Sequence, residues 1–421
     1  MFSKDRAILW FLLFSAVQIA QASQYREHKT IISALKQGKP SLDFRLRHEE
    51  TKQETLTSAQ ASTMRSVLGY QSASFYQNYI SLEVINVSNF FSQHYNPDVA
   101  PLRKPGYAVI ADPKGTGVTN ANITYQCLPH TDIILGRQYI FLDNERMVGY
   151  NDFRQYRSNF DAITIKNDFF KNFEIYYSFL DHINTVKNNS LSINGRHKLR
   201  SNLFNITWQD FIYGQITAYS YINKDLSVNT NSQNTYGLRV KSDELFNKTY
   251  TFDYELEVAR QQNKSNNPNK YSVGYFSAVV NKDIIELFNS WLIAINLGYE
   301  LLGGHDGGAP GRTFIFPLGS LYGFNGLAEG YTSTPDRGLQ DYNAGLEFKY
   351  SEIFKLITTF HLFKFAAGTE QKLAGREIDL SMVFNINKDC NAQIRLAKLN
   401  AKNYSTLSVR RVSGQLSYFA L

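Results

Sequence analysis

The sequence predicts an all-β protein, a transmembrane antiparallel up-and-down β-barrel of about 18 strands. Three observations predict it. Apolar and polar residues alternate along segments of about ten residues, the length of a membrane-crossing strand. The links between these segments alternate between short and long. Aromatic residues make up 14% of the 421 residues and are almost all Phe or Tyr, as expected for the aromatic girdles at the two membrane interfaces.

The N-terminal residues have the pattern of an export signal. Lys4 and Arg6 precede an apolar run from Ile8 to Ala20, and a small-x-small pattern follows that ends at Ala22. We therefore expect residues 1–22 to be a cleaved signal peptide, 23–39 a short periplasmic segment and 40–421 the barrel. No later segment approaches 18 consecutive apolar residues, so the mature chain could span a membrane only as a closed barrel.

Strict alternation identifies the strands. From Tyr250 to Val258, aromatic and aliphatic residues occupy every second position and polar residues such as Asp253 occupy the others. A strand with one face this polar does not fit a soluble core. The same pattern predicts strands at 40–50, 61–72, 74–87, 118–127, 131–142, 160–167, 171–183, 199–210, 214–225, 232–241, 248–262, 270–281, 286–301, 340–350, 355–365, 374–386, 390–398 and 407–419.

The links between the strands favour a Gram-negative outer-membrane barrel, which has short turns at one end and long loops at the other. Short links are predicted at 167–171, 242–246, 281–284, 351–354 and 387–389, and long links at 89–118, 143–159 and 303–340. The alternative is a secreted β-sandwich or β-solenoid. Sandwich strands are shorter, at about 5–6 residues, and solenoids show a fixed repeat that this sequence lacks.

If the apolar face of each strand meets lipid, the other face lines the lumen. The residues that alternation places in the lumen are Arg45, Arg47, Arg65, Arg137, Arg239, Glu83, Asp253, Glu255, Glu347, Glu377 and Asp379. The arginines come from strands 1, 2, 5 and 10 and most of the carboxylates from strands 11, 14 and 16, which predicts a transverse electric field. Guanidinium groups in a narrow pore favour anions.

The alternative is that each lumen arginine only pairs with a carboxylate on a neighbouring strand. For the set as a whole a solute-facing role is favoured. The reason is that Asp43 and Glu83 are the only acidic residues expected to point inward on strands 1 to 3.

Several stretches resemble the alginate-export family of outer-membrane porins. The most specific runs from Gly136 to Gly149 and continues in Phe-Arg-Gln at 153–155 and Phe-Asp-Ala at 160–162; supporting stretches lie at 62–71, 111–115 and 377–380. The resemblance implies a monomeric barrel of eighteen strands that passes a solute, alginate in the founding members. It also implies that the loop residues Arg146, Arg154 and Arg157 lie near the pore mouth and form its constriction.

These observations together predict a passive outer-membrane channel for anionic solutes or an anionic polysaccharide. The expected surroundings are outer-membrane lipid and lipopolysaccharide, and the resemblance implies that barrel-assembly machinery recognises Tyr418 and Phe419. The alternatives are a loop-closed receptor or adhesin barrel and a barrel enzyme. No catalytic motif or metal-ligand spacing occurs, so we expect no enzyme activity, cofactor or metal.

Charge and cysteine content add two expectations. The net charge is +7, but the basic residues are dispersed, so we expect no nucleic-acid partner. Cys127 and Cys390 have no metal-ligand spacing and are expected to be isolated thiols.

Overall fold

The computed structural model describes residues 30–187, 195–287, 290–368, 372–402 and 407–420. The predicted signal peptide, residues 1–22, and the first part of the predicted periplasmic segment lie outside these ranges. In the described part of that segment, residues 31–36 form a short helix, and the first strand begins at Lys39.

The chain forms a closed antiparallel barrel of 18 strands, which confirms the predicted fold class. Each strand pairs with the next along the chain, and the last pairs with the first, from Leu42 opposite Ala420 to Gln53 opposite Val409. The strands are β1 (Lys39–Gln53), β2 (Ala59–Gln71), β3 (Asn78–His94), β4 (Gly115–Leu128), β5 (Thr131–Gln138), β6 (Asn159–Asn167), β7 (Phe173–Asn184), β8 (Arg196–Phe211), β9 (Gly214–Asn223), β10 (Gln233–Lys241), β11 (Asp253–Asn263), β12 (Ser272–Leu287), β13 (Trp291–Leu302), β14 (Leu339–Tyr350), β15 (Phe354–Lys364), β16 (Leu373–Asn387), β17 (Cys390–Ala401) and β18 (Val409–Ala420).

Alternation sorts side chains between the two faces of the wall because successive strand residues point to opposite sides. On β1, Phe44 and Leu46 point outward and are 36% and 39% exposed, whereas Arg45 and Arg47 point inward and are 5% and 2% exposed. Exposed apolar residues of this kind form a band around the outside of the barrel. Near the end with the short links, aromatic pairs such as Trp291 and Tyr350 sit side by side, with ring centroids 4.7 Å apart.

The links are short at one end of the barrel, which we call the short-link end, and mostly longer at the other, the long-link end. Residues 129–130, 212–213, 351–353 and 388–389 connect strands at the short-link end. Residues 95–114, 139–158 and 303–338 form the longest links at the opposite end. Two α-helices are described, α1 (Ile31–Lys36) and α2 (Glu244–Tyr250), together with one 3-10 helix at Asn229–Asn231. In the ranges that the structure describes, no helix has the length and apolar character of a membrane span.

Several predicted boundaries are wrong. The third strand, predicted to end at residue 87, continues to His94. Two further differences have clear causes. Residues 281–284, predicted as a turn, lie inside β12, which accommodates them through a bulge between Asp283 and Ile285 while it stays paired to β13. The strand predicted from 248 begins only at Asp253, because the preceding residues form α2. Asp243 caps that helix by accepting a hydrogen bond from Phe246 N at 2.8 Å, and Thr251 ends it with a left-handed backbone, φ 59°.

The 139–158 and 303–338 loops fold into the barrel. Val148 and Ile140 of the first loop and Phe314, Phe316 and Leu318 of the second are buried in one apolar cluster. Inward residues of many strands complete the cluster; among them are Phe160, Leu180, Leu199, Leu203, Leu302 and Phe363. The interior is therefore apolar where the loops pack and polar elsewhere, which alternation alone does not predict.

Candidate functional site

The strands beside the closure of the barrel carry inward arginines. Arg45 and Arg47 lie on β1, Arg65 on β2, Arg395 on β17 and Arg411 on β18. These strands are neighbours because β18 pairs with β1. We call the inner surface of β17, β18, β1 and β2 the basic wall. The 139–158 loop lies against it and brings further charges.

One cluster on the basic wall is formed by Arg45, Arg65 and Arg157 around two aspartates. Asp152 Oδ2 is 2.8 Å from Arg45 Nη2, and Asp152 Oδ1 is 2.9 Å from Arg65 Nη1 and 2.5 Å from Arg157 Nε. Asp43 Oδ2 is 2.8 Å from Arg65 Nη2 and 3.3 Å from Arg157 Nη2. Burial alone would raise the pKa of Asp152, but the guanidinium groups hold it well below its usual value. Asp152 is therefore ionised, and the cluster carries three positive and two negative charges.

A second cluster lies nearer the long-link end. Glu49 of β1 is 2.5 Å from Arg47 and 3.2 Å from Arg154, and it also pairs with Arg411. All of these side chains are nearly inaccessible to solvent. A buried carboxylate needs such partners, since an unpaired buried charge costs several kcal/mol.

Two loop carboxylates complete the second cluster. Asp112 Oδ2, from the 95–114 loop, lies 3.4 Å from Arg154 Nη1, and Glu329, from the 303–338 loop, pairs with Arg154 Nη2. Arg411 Nη1 is also 3.2 Å from Glu329. This cluster thus holds three loops against the basic wall, with three arginines and three carboxylates in balance.

Arg395 is the exception on the basic wall. Among the described residues, no carboxylate lies within ion-pair distance of it. Its guanidinium carbon instead lies 4.6 Å from the centroid of the Phe153 ring. An aromatic ring attracts a cation but carries no net charge to neutralise it, and the side chain is only partly buried. Arg395 therefore leaves one positive charge facing the lumen.

A cavity of about 490 Å³ lies beside Arg395 and the first cluster. Its charged lining consists of Arg45, Arg65, Arg157, Arg395, Asp43, Asp152 and Asp389. Toward the short-link end its lining consists of Asp389 and the neutral polar residues Asn391, Gln393, Gln415 and Ser417. The cavity therefore has one more arginine than it has aspartates.

The neighbouring wall, from β13 to β16, is rich in carboxylates, and these hold the 303–338 loop. Glu377 Oε1 accepts a hydrogen bond from Ala328 N at 2.7 Å, and Asp379 Oδ2 accepts one from Leu327 N at 2.9 Å. Arg146 of the other inward loop is buried between Glu300, at 2.8 Å, and the rings of Phe316 and Phe324. Arg146 therefore joins the two loops to β13 and does not line the open space.

Four other predicted lumen residues also point inward. Arg239 is 2.6 Å from Glu255 Oε2, beside a larger cavity of about 1030 Å³ that the 139–158 loop also lines. Glu83 accepts a hydrogen bond from Thr119 Oγ1 at 2.6 Å. Glu347 is 2.9 Å from Lys355 Nζ.

Asp253, the remaining predicted lumen residue of β11, lies on the inward side at the short-link edge of that strand, 3.4 Å from Ser242 Oγ. In the described part of the chain, no group of His, Cys, Asp and Glu side chains could hold a metal ion.

The inward placement predicted for Arg137 is wrong. Arg137 shares a face with Leu135, which points outward and is 52% exposed. It pairs with Asp161 at 2.7 Å, and Asp161 also pairs with Arg196 at 2.8 Å. Arg137 therefore belongs to the outer surface of the barrel. Alternation counted from the apolar Leu135, two positions earlier, would have placed Arg137 on the outer face.

The expectation that Asp43 and Glu83 are the only inward acidic residues on the first three strands is also wrong. Glu49 has the same parity as Arg45 and Arg47 and points inward with them. Arg395 and Arg411 could also have been found from alternation on their strands. By contrast, the loop partners Asp112, Asp152 and Glu329 carry no strand pattern, and only the folded loops show where they lie.

Comparison with known proteins supports the architecture. No family model and no curated protein matches the chain. Solved structures do: Pseudomonas aeruginosa OpdO, at 14% identity and TM-score 0.64, covers 92% of this chain and 98% of its own. Acinetobacter baumannii OccAB2, at 12% identity and TM-score 0.65, covers 92% and 99%. Pseudomonas aeruginosa OccD3 (OpdP), at 11% identity and TM-score 0.63, covers 96% and 98%.

These neighbours are outer-membrane porin channels with barrels of eighteen strands. At such low identity the likeness shows a shared fold, an all-β closed antiparallel barrel of 18 strands.

Proposed function

We propose that this protein is an outer-membrane channel for the passive passage of anionic solutes. The observation that carries the proposal is the excess of positive charge on the basic wall, where seven arginines face six carboxylates. The arginines are Arg45, Arg47, Arg65, Arg154, Arg157, Arg395 and Arg411, and the carboxylates are Asp43, Glu49, Asp112, Asp152, Glu329 and Asp389.

The wall distinguishes charges in two ways. Its net positive charge raises the local concentration of anions in a narrow space with low-dielectric walls. Its guanidinium groups also offer paired N–H donors that match the oxygens of a carboxylate or phosphate. Arg395 is the group best placed for direct contact, because no carboxylate of the described chain competes for it.

The inward loops narrow the passage, and the predicted constriction residues divide between two roles. Arg157 lies against the basic wall and lines the open space, whereas Arg154 is buried in the second cluster and holds loops against that wall. Arg146 is buried in contact with Glu300 and both loops, so its role is to hold the constriction in shape.

The outer surface supports a location in the outer membrane. Its exposed apolar band and the aromatic pairs near the short-link end suit a bilayer and its interface. In barrels of this type the short turns face the periplasm and the long loops face outside. We orient the molecule accordingly, with the 303–338 loop entering the lumen from the extracellular end.

The experiment that tests the function is permeation into liposomes that contain the folded barrel. A sugar acid should enter faster than the neutral sugar of the same size, and a cationic amino sugar should enter more slowly than either. Short uronate oligomers belong in the same series, since the resemblance to the alginate-export family implies a uronate polymer. Equal rates for acid, neutral and cationic solutes would contradict the proposal. No entry of any solute would favour the loop-closed receptor.

A further inference from the structure

Three basic residues face outward side by side on adjacent strands at the long-link end. Lys398 of β17 lies directly opposite Arg410 of β18, and Arg410 lies directly opposite Lys52 of β1. All three residues are exposed. We call Lys52, Arg410 and Lys398 the outward basic row.

This arrangement is unfavourable by itself. Side chains directly opposite on neighbouring antiparallel strands have Cβ atoms about 4.5–5.5 Å apart, and like charges in such pairs repel. Among the described residues, no carboxylate lies within ion-pair distance of any member of the row. The outward basic row therefore lacks the counter-charge that every paired arginine of the basic wall has.

The carboxylates of β1 and of β16, which pairs with β17, do not supply that charge. Asp43, Glu49, Glu377 and Asp379 point into the barrel. Glu50 is on the outward side of β1, but it accepts a hydrogen bond from Gln60 Nε2 at 3.0 Å and lies 3.6 Å from His48 Nε2. Glu54, in the link that follows β1, accepts a hydrogen bond from Ser408 N at 3.2 Å. The described carboxylates therefore leave the positive charge of the row available to an anion from outside the chain.

The apolar band below the row shows where that anion lies. On the outward faces of β17 and β18, the next positions toward the short-link end are Leu396 and Val412, directly opposite each other. Ile394 and Leu416 continue the band and are 42% and 41% exposed. The row thus lies just above the lipid-facing surface, at the level of the headgroups of the outer leaflet.

We propose that the outward basic row binds phosphate groups of lipopolysaccharide. Neighbouring strands are about 4.8 Å apart, so the three cations span about 10 Å. Phosphate groups bound between them would attract each cation and offset the repulsion among the cations. The acyl chains of the same lipid would cover Leu396, Val412 and the band below. The inference rests on the proposed outer-membrane location, but not on solute passage.

The test is lipopolysaccharide binding to the folded full-length barrel in neutral detergent, compared with the triple variant K52Q/K398Q/R410Q. Each cation near an anionic membrane surface contributes about 1 kcal/mol, which is about a factor of five in binding affinity. The loss of three cations should therefore weaken binding about 100-fold. The matched control K36Q/K171Q/K388Q removes the same charge from exposed lysines at the short-link end and should bind as the unchanged protein does. Equal affinity of the triple variant and the unchanged barrel, or an equal loss in the control, would overturn the proposal.

Two further comparisons test the identity of the ligand. Dephosphorylated lipopolysaccharide should bind the unchanged barrel only as weakly as native lipopolysaccharide binds the triple variant. Phosphatidylglycerol should bind the unchanged barrel more weakly than lipopolysaccharide does. Equal binding of the two lipids would overturn the assignment of the row to lipopolysaccharide. In lipid-free detergent the triple variant should unfold at or above the temperature of the unchanged protein, because it loses like-charge repulsion, and a lower temperature would contradict this account of the row.

Conductance separates this inference from the proposed function. Because the row faces away from the lumen, the triple variant should conduct like the unchanged barrel. If the barrel conducts but the triple variant and the control bind lipopolysaccharide equally well, only the lipid site is refuted. A barrel that binds lipopolysaccharide through the row but never conducts refutes only the channel.

Discussion

Arg395 differs from the other arginines of the basic wall in contacting an aromatic ring, Phe153, in place of a carboxylate. Its charge is therefore not cancelled locally. The paired arginines, such as Arg47 with Glu49, mainly fix the shape of the wall. Sequence alternation identifies which residues point inward, but it does not distinguish these two roles, because the partners come from loops without a strand pattern.

At the residue scale we expect R395Q to lower the ratio of anion to cation permeability about two- to five-fold, since one uncompensated charge about 4 Å from a permeating ion is worth about 1 kcal/mol in a water-filled path. The matched control is R137Q, which removes an arginine from the outer surface. Reversal potentials of the two variants measure the difference. An unchanged ratio in R395Q would remove Arg395 from the selectivity account.

Glu49 offers a stability test at the same scale. E49Q leaves Arg47, Arg154 and Arg411 without their shared buried carboxylate, so we expect a loss of roughly 3–5 kcal/mol in the free energy of unfolding, as for other broken buried pairs. Urea unfolding in detergent measures it. E50Q, at the next position on the outward side, should change stability by about 0.5 kcal/mol or less, and equal effects of the two variants would contradict the assignment.

At the element scale, alternation predicts the eighteen strands because each strand must present one apolar face to lipid. It fails where other interactions decide. The turn predicted at 281–284 contains turn-forming residues, but pairing with β13 carries β12 through them with a bulge. The helix cap at Asp243 similarly moves the start of β11 to Asp253. The packing of the inward loops depends on contacts between distant residues and has no local signal.

Anchoring of the 303–338 loop is testable as a unit. The double variant E377A/D379A removes the acceptors for Ala328 N and Leu327 N, so we expect faster hydrogen exchange at these two amides and a larger single-channel conductance. E347A is the matched control, because Glu347 points inward but pairs with Lys349 and Lys355 on its own wall. Unchanged exchange and conductance in the double variant would show that other contacts hold the loop.

The closing strand provides a second test at this scale. Deleting residues 418–421 removes the pairs of Phe44 with Tyr418 and Leu42 with Ala420, which close the barrel at the short-link end. We expect the truncated chain to lose the heat-dependent shift in electrophoretic mobility that marks a folded barrel. Deleting Leu421 alone, after the last strand residue, should leave the shift intact. A normal shift in the longer deletion would contradict this role.

At the scale of the whole molecule, charge is divided between two adjoining parts of the barrel wall. The strands at the closure carry the excess of arginine, and β13, β14 and β16, in the part of the sheet that continues from β17, carry Glu300, Asp341, Glu377 and Asp379. The sequence predicts this division from alternation, although Arg137 does not contribute to it. Such a field is screened by salt, with a Debye length of about 10 Å at 0.1 M, so selectivity should weaken as ionic strength rises.

The central claim is that the barrel is an open, anion-selective channel. The measurement that tests it most directly is the reversal potential of single channels in a potassium chloride gradient, using folded protein without residues 1–22. We expect a potential of the sign that anion selectivity gives, and its magnitude should decrease as the salt concentration on both sides increases. A potential of the opposite sign, or no conductance from a barrel shown to be folded, would contradict it.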